Sequence, residues 1–123
     1  MNPNPDIVIP TVVNSTLNAL KAAANESSVK RFVLTSSGSA VVFPKPDQRI
    51  DITPDTWNEE SVQVVQDFPD GMTDMQKGFI VYMASKVKGE QALWNWAKEN
   101  PSSPLVVNAG LFHCLHLNPD GGR

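Results

Sequence analysis

The sequence predicts an α/β fold built on two parallel strands, two main helices and a long irregular loop. Two short runs rich in apolar and β-branched residues, 29–37 and 105–108, have the character of buried strands. One helical pattern precedes the first run and a second lies between the two runs. A strand, a crossover that contains a helix and a second strand form a βαβ unit, in which the strands are parallel and the crossover is right-handed.

Each helix is predicted from the spacing of its apolar residues and from its ends. The first is expected to begin at Asp6, acting as N-cap, with Pro10 in its first turn. Apolar residues recur at intervals of three and four over residues 9–24 and form one face of about four turns. The second helix is predicted over residues 79–98 and ends before Asn100-Pro101.

The segment between the first strand and the second helix is predicted to be irregular. Residues 38–74 contain four prolines and several acidic residues, with one short helix expected near residues 59–66. A segment of this length without regular structure inside a domain is usually a functional loop.

Composition limits the size, partners and compartment of the protein. With 123 residues, of which 41% are hydrophobic, the chain is long enough for one globular domain and too short for two. A net charge of -3 provides no basic surface for nucleic acid or an anionic membrane. The single cysteine, Cys114, excludes an internal disulfide framework. The chain shows no signal-peptide pattern and no apolar run near the roughly 20 residues of a membrane span, so we expect a soluble, cytoplasmic protein.

Tyr82 and Lys86 are the most informative pair in the sequence. They lie four residues apart in the second predicted helix and therefore on one of its faces. An ammonium beside a phenol stabilises the phenolate, which turns the phenol into a usable proton donor near neutral pH. Considered alone, such a pair is more often a ring packed on the core beside a solvated ammonium.

Hydroxyl side chains end the first predicted strand, at Thr35-Ser36-Ser37. A buried strand that stops in hydroxyls places polar groups at the carboxyl end of a sheet, where parallel sheets bind their ligands. Considered alone, serines at this place are most often turn formers.

Together with their flanks, these residues resemble the extended short-chain dehydrogenase/reductase superfamily. The nearest branch is that of fungal aldehyde and ketone reductases and plant dihydroflavonol reductases. The matching segments are residues 5–10, 17–23 and 29–37, Trp57-Asn58-Glu59-Glu60, the helix with Tyr82 and Lys86, and residues 106–108. The resemblance implies a Rossmann-like, doubly wound parallel sheet of which residues 1–123 form one partial domain. It also implies an enzyme that reduces a small carbonyl substrate, or oxidises an alcohol, with NAD or NADP.

The resemblance further implies a catalytic set of Ser37, Tyr82 and Lys86. By the superfamily pattern the second serine of the run is the catalytic one, so Ser37 is preferred to Ser36. Ser37 would donate a hydrogen bond to the substrate carbonyl oxygen and Tyr82 would deliver the proton. Lys86 would activate the tyrosine and hold the cofactor ribose, so that Tyr82, Lys86 and Thr35 are the candidate cofactor-binding residues.

Two features depart from the superfamily pattern. A nicotinamide dinucleotide is held mainly by a Gly-rich turn at a helix N-terminus, and none of the seven glycines here has the spacing of that turn. After Asn108 the chain lacks the proline of a turn that meets the nicotinamide, which affects the contacts expected from residues 108–112. We therefore expect a shortened gene product with little or no activity.

Two other functions are left open by the sequence. One is a non-catalytic remnant that binds a partner, such as a full-length relative docked on its exposed sheet edge. The open apolar edge of a two-stranded parallel sheet also favours self-association. The other is an epimerase or hydroxysteroid dehydrogenase of the same superfamily. A metal site at His113-Cys114-Leu115-His116 is not predicted, because a soft metal site normally requires four ligands and no second cluster exists in the sequence.

Overall fold

The computed structural model describes residues 1–45, 47 and 49–111, and it has the predicted α/β architecture. In chain order the elements are α1 (Pro5–Asn25), β1 (Arg31–Ser36), a 3-10 helix (Gly38–Ala40), α2 (Glu59–Val64), α3 (Asp74–Glu99) and β2 (Val106–Leu111). The two strands are parallel, with Arg31 opposite Val106 and Ser36 opposite Leu111. The sequence 113–116, including Cys114, lies outside the described residues.

The first helix begins earlier than predicted. Asn4 is its N-cap, because the Asn4 side-chain oxygen accepts a hydrogen bond of 3.0 Å from the backbone N–H of Asp6. The prediction of Asp6 as N-cap was therefore wrong, and Asp6 lies in the first turn, where its charge complements the helix dipole. Pro5 occupies the position at which a missing N–H costs nothing, whereas Pro10 lies inside the helix beyond its first turn.

The long helix α3 begins five residues before the predicted start because of a capping box. The Thr73 hydroxyl accepts a hydrogen bond from the Gln76 backbone N–H, and the Gln76 side chain accepts one from the Thr73 backbone N–H. The strand ends differ as well. β1 begins at Arg31 rather than at Val29, whose backbone N–H donates to the Glu26 carbonyl in a turn.

Two hydrophobic clusters hold the helices against each other and against the sheet. The first lies around the amino-terminal half of α3 and includes Val81 and Met83, both fully buried. The second joins α1, α3 and the strands through Leu20, Leu93 and Leu105. Helix α3 therefore lies at the centre of the core and contacts every other main element.

The two faces of the sheet have different surroundings. Phe32 and Leu34 of β1 point toward α1 and α3 and pack in the second cluster. Val33 of β1 and Val106 of β2 lie on the opposite face and are 59% and 50% exposed. We call these the covered face and the open face.

Helix α1 is long and apolar enough to span a membrane, whereas the sequence was expected to contain no such segment. By length and composition alone, Pro5–Asn25 could cross a membrane. The core helix of a soluble protein and a signal sequence near the N-terminus pass the same criterion. In this helix 11% of the apolar window is buried, and the fully buried Leu20 packs with Leu93 of α3.

Candidate active site

Tyr82 and Lys86 lie together in a cleft between α1 and α3. Both are half-buried, and the Lys86 Nζ lies 5.6 Å from the centroid of the Tyr82 ring. The cleft has a volume of about 290 Å³, and the other residues that line it are Met1, Asn2, Val8, Val12, Gly78 and Ser85. The structure thus places a phenol and an ammonium on one wall of a cleft whose opposite wall is mainly apolar.

The neighbourhood of Tyr82 is shaped by small residues of α3. Ser85 turns its hydroxyl back into the helix, where it donates a hydrogen bond of 2.7 Å to the Tyr82 carbonyl. Gly78, one turn before Tyr82, lies so close to the chain start that a Cβ there would be 2.8 Å from the Met1 carbonyl oxygen. The absence of a side chain at Gly78 therefore lets the Met1 backbone pack directly against α3 at one end of the cleft.

Ser37 and Thr35 lie outside this cleft. Ser37 follows β1 directly, and its hydroxyl oxygen accepts a hydrogen bond of 3.2 Å from the Ser39 backbone N–H, which caps the 3-10 helix. Thr35 is exposed on the open face. Among the described residues, the structure brings Tyr82 and Lys86 together, whereas neither Ser37 nor Thr35 lines their cleft.

Ser36 is the serine that contacts the tyrosine helix. It is 7% exposed on the covered face, and its hydroxyl donates a hydrogen bond to a carboxylate oxygen of Glu90. The other Glu90 oxygen accepts a hydrogen bond of 3.3 Å from the Trp94 indole N–H. Glu90 was not among the predicted site residues, although its spacing of four from both Lys86 and Trp94 indicates a shared helix face.

The last residues of the irregular loop pack beside the strand end, whereas residues 49–55 are exposed to solvent. Asn58 is 3% exposed, and its side-chain amide donates a hydrogen bond of 2.8 Å to the Ser39 carbonyl. Its side-chain oxygen accepts one of 3.1 Å from the Ser61 N–H at the start of α2. These bonds hold Trp57 over a small cavity of about 150 Å³ that also contacts Ser36, Glu90 and Gly110.

The chemistry of the Tyr82 cleft suits part of a nicotinamide cofactor. A lysine ammonium and a tyrosine hydroxyl are donors for ribose hydroxyl groups, and an apolar wall accepts a flat ring. Among residues 1–45, 47 and 49–111, no group of three or more His, Cys, Asp or Glu side chains could hold a metal ion.

The comparisons with known proteins agree with this architecture. Residues 2–112 match the model of an NAD-binding family described as male sterility protein. The chain is 44% identical over 96 residues to aldehyde reductase 2 of Sporidiobolus salmonicolor, an alignment that covers 77% of this chain and 27% of that protein. It is 38% identical over 109 residues to the NAD-dependent epimerase/dehydratase terH of Aspergillus terreus, covering 89% of this chain and 31% of that protein.

A solved structure resembles the fold itself. The crystal structure of vestitone reductase from alfalfa, Medicago sativa, superposes with a TM-score of 0.58 at 31% identity, over 83% of this chain and 29% of that one. The chain thus spans about three tenths of the length of the relatives it matches. The predicted resemblance to extended short-chain reductases is confirmed. The chain therefore belongs to this NAD-binding family, which is described as male sterility protein.

Proposed function

We propose that this chain carries the catalytic residues of an NAD(P)-dependent reductase that acts on an aldehyde or a ketone. The proposal depends on the Tyr82–Lys86 pair, which lies on one wall of a cleft with the Lys86 Nζ 5.6 Å from the centroid of the Tyr82 ring. Family membership and the names of two relatives, aldehyde reductase 2 and vestitone reductase, support the choice of a carbonyl substrate. Residues 1–123 would form one domain, because α1 and α3 contribute to both hydrophobic clusters.

Tyr82 would act as the general acid. Its hydroxyl would protonate the carbonyl oxygen, and the Lys86 ammonium beside the ring would stabilise the phenolate left behind. A nicotinamide cofactor, NAD or NADP, would supply the hydride when bound. Val8 and Val12 on the opposite wall would exclude water from the proton transfer.

Ser37 would donate a hydrogen bond to the same carbonyl oxygen. Its bond from Ser39 uses a lone pair of the hydroxyl oxygen, so the hydroxyl hydrogen can still be donated to a substrate. Tyr82, Lys86 and Thr35 are the proposed cofactor contacts. Thr35 lies near the carboxyl end of β1, the end at which parallel sheets bind nucleotides.

The proposal is tested by cofactor binding and turnover. The chain spans about three tenths of the length of its relatives, so we expect weak activity at most. We expect NADPH to quench the tryptophan fluorescence of the chain at micromolar concentrations, and an aldehyde to consume NADPH slowly with formation of an equal amount of alcohol. Tyr82→Phe should lower kcat by about 10²- to 10⁴-fold and leave NADPH binding unchanged. Lys86→Met should impair both, whereas the matched variant Lys88→Met should impair neither, because Lys88 does not line the cleft.

The outcomes separate the candidate functions. Absence of both quenching and NADPH consumption in the wild-type chain would contradict the reductase. Conversion of a substrate without net consumption of cofactor would favour an epimerase.

A second candidate, self-association through the sheet, is supported by the exposure of its apolar residues. Within the described residues the sheet has two strands, so each strand has one unpaired edge. The open face adds Val33 and Val106, both at least half exposed. We therefore propose that a second copy covers this surface at high concentration. The cytoplasmic location expected from the sequence stays a prediction.

A further inference from the structure

Glu90 joins the end of β1 to α3 through its two carboxylate oxygens. One oxygen accepts the hydroxyl hydrogen of Ser36 at the end of β1, and the other accepts the indole hydrogen of Trp94. Ser36 and Glu90 are 54 residues apart in sequence. Trp94 packs in the second hydrophobic cluster. The carboxylate thus connects the sheet end to α3 beside that cluster.

The position of Glu90 on α3 relates it to the proposed catalytic residues. One row of residues along the surface of α3, spaced four apart, consists of Tyr82, Lys86, Glu90 and Trp94. At 1.5 Å per residue, Glu90 lies about 12 Å from Tyr82 along the helix axis. In a βαβ unit the helix runs antiparallel to its strands, so Tyr82 lies beyond the carboxyl end of β1.

The link to Ser36 therefore sets the separation of Ser37 from Tyr82. Ser37 follows Ser36 in extended conformation, with φ -146° and ψ 149°, and one extended residue advances the chain by about 3.3 Å. The backbone of Ser37 then lies about 9 Å from that of Tyr82 along the axis. A slip of α3 by one turn would change this separation by about 5.4 Å, more than a hydrogen bond to a shared oxygen tolerates.

We propose that Glu90 is a positioning residue: by binding Ser36 it fixes the end of β1 along α3 and so places the Ser37 hydroxyl relative to Tyr82. Its consequence for catalysis rests on the proposed reductase function. The placement itself does not, and it can be measured without turnover.

Two substitutions at position 90 compare a side chain that keeps both hydrogen bonds with one that loses them. In Glu90→Gln, the amide oxygen can accept from Trp94 and the amide nitrogen can donate to the Ser36 oxygen, so both links are retained. In Glu90→Ala both links are lost. Ser36→Ala removes the sheet link alone and serves if Glu90→Ala does not fold. Glu99→Gln removes a carboxylate at the exposed end of the same helix and is the control.

The first measurement is the NMR spectrum of the full chain. Glu90→Ala and Ser36→Ala should shift the backbone amide signals of Ser37 and Ser39, since the Ser39 amide reports the Ser37 hydroxyl. Glu90→Gln should keep those signals near their wild-type positions, and Glu99→Gln should leave them unchanged. Unchanged Ser37 and Ser39 signals in Glu90→Ala, or in Ser36→Ala where the former does not fold, would overturn the proposal.

The second measurement is the division of the kinetic effect between kcat and KM. Glu90→Ala should lower kcat by about 10- to 100-fold, with the KM for NADPH changed by less than about twofold, and Glu90→Gln should restore most of the loss. The double variant with Ser36→Ala should be no worse than Glu90→Ala alone. Additive losses, or equal changes in kcat and KM, would indicate a purely structural role. If the wild type reduces no carbonyl, the proposed function fails, and the amide signals alone decide whether Glu90 places Ser37.

Discussion

The covered and open faces of the sheet are made by alternate residues of the same short strands, yet they serve different purposes. On the covered face, Phe32 and Leu34 enter a hydrophobic cluster and Ser36 binds a carboxylate of α3. On the open face, Val33 is 59% exposed and belongs to neither of the two hydrophobic clusters. The comparison shows that alternate residues of β1 either pack against the helices on the covered face or remain exposed on the open face.

The difference has a consequence for the site. Residues on the covered face are held by α1 and α3, so their positions are determined by the core. Thr35, on the open face, has no such support in the described part of the chain, and its proposed cofactor contact depends on whatever covers that face. Stability and site geometry should therefore respond to substitutions on one face and tolerate them on the other.

The largest effect is expected from removing side-chain volume beneath the covered face. Leu93 of α3 is fully buried between Leu20 and Leu105, so Leu93→Ala should lower the free energy of unfolding by about 3 kcal/mol. The matched substitution on the open face, Val33→Ala, should change it by less than about 0.5 kcal/mol. Urea unfolding of the two variants beside the wild type measures both values. Equal losses would show that the open face is covered in solution.

A smaller effect is expected from crowding the two helices that form the covered layer. A Cβ at Gly89 would lie 3.0 Å from a methyl group of Val12 and 3.6 Å from the Thr16 hydroxyl, so the helices meet there at close range. Gly89→Val should lower the free energy of unfolding by about 1–3 kcal/mol, since the larger side chain forces α1 and α3 apart.

Gly110→Ala is the control for this crowding, because a Cβ at Gly110 meets no described heavy atom within 4 Å. Thermal unfolding followed by circular dichroism compares the two variants. A Tm of Gly89→Val equal to that of the wild type would contradict the close packing of α1 against α3.

Local patterns in the sequence predicted most of the elements but not their exact ends. The two strands, their parallel pairing, the short helix α2 and the end of α3 follow from apolar spacing and from Pro101. The start of α3 was missed because Thr73 and Gln76 are polar and carry no periodic signal, although their spacing is that of a capping box.

The candidate site was predictable only where it depends on one helix. Tyr82 and Lys86 share a cleft because four residues separate them in α3, a relation that the sequence contains. The contact between Ser36 and Glu90 bridges 54 residues and depends on how α3 packs on the sheet. Spacing within one segment cannot specify such a contact, so Glu90 was found only in the structure. The catalytic role of Ser37 stays a prediction.

Added charge on the open face should change the self-association of the chain and leave its folding stability nearly unchanged. Val33→Lys with Val106→Lys places two ammonium groups on the open face, which already carries Arg31, and like charges oppose pairing of two copies. We expect the double variant to sediment as a monomer at concentrations at which the wild type associates, with a change in unfolding free energy of less than about 0.5 kcal/mol. Identical sedimentation of both proteins would remove the second candidate function.

The smallest effect is expected in the turn that leads from α1 to β1, outside both faces. The Ser28 backbone N–H and then the Ser28 hydroxyl donate hydrogen bonds of 3.1 and 2.9 Å to the Glu26 carboxylate, which lowers the pKa of Glu26 below its ordinary value of 4.5. Because the pKa is lower in the folded chain, Glu26 contributes stability above pH 4.5, and this contribution is lost as the pH falls through the folded value. The stability difference between wild type and Glu26→Gln should therefore shrink on acidification. In Ser28→Ala the hydroxyl donor is removed and the backbone N–H donor remains, so NMR titration should show the pKa of Glu26 moving up toward its ordinary value. An unchanged titration would mean that the backbone N–H alone holds the carboxylate.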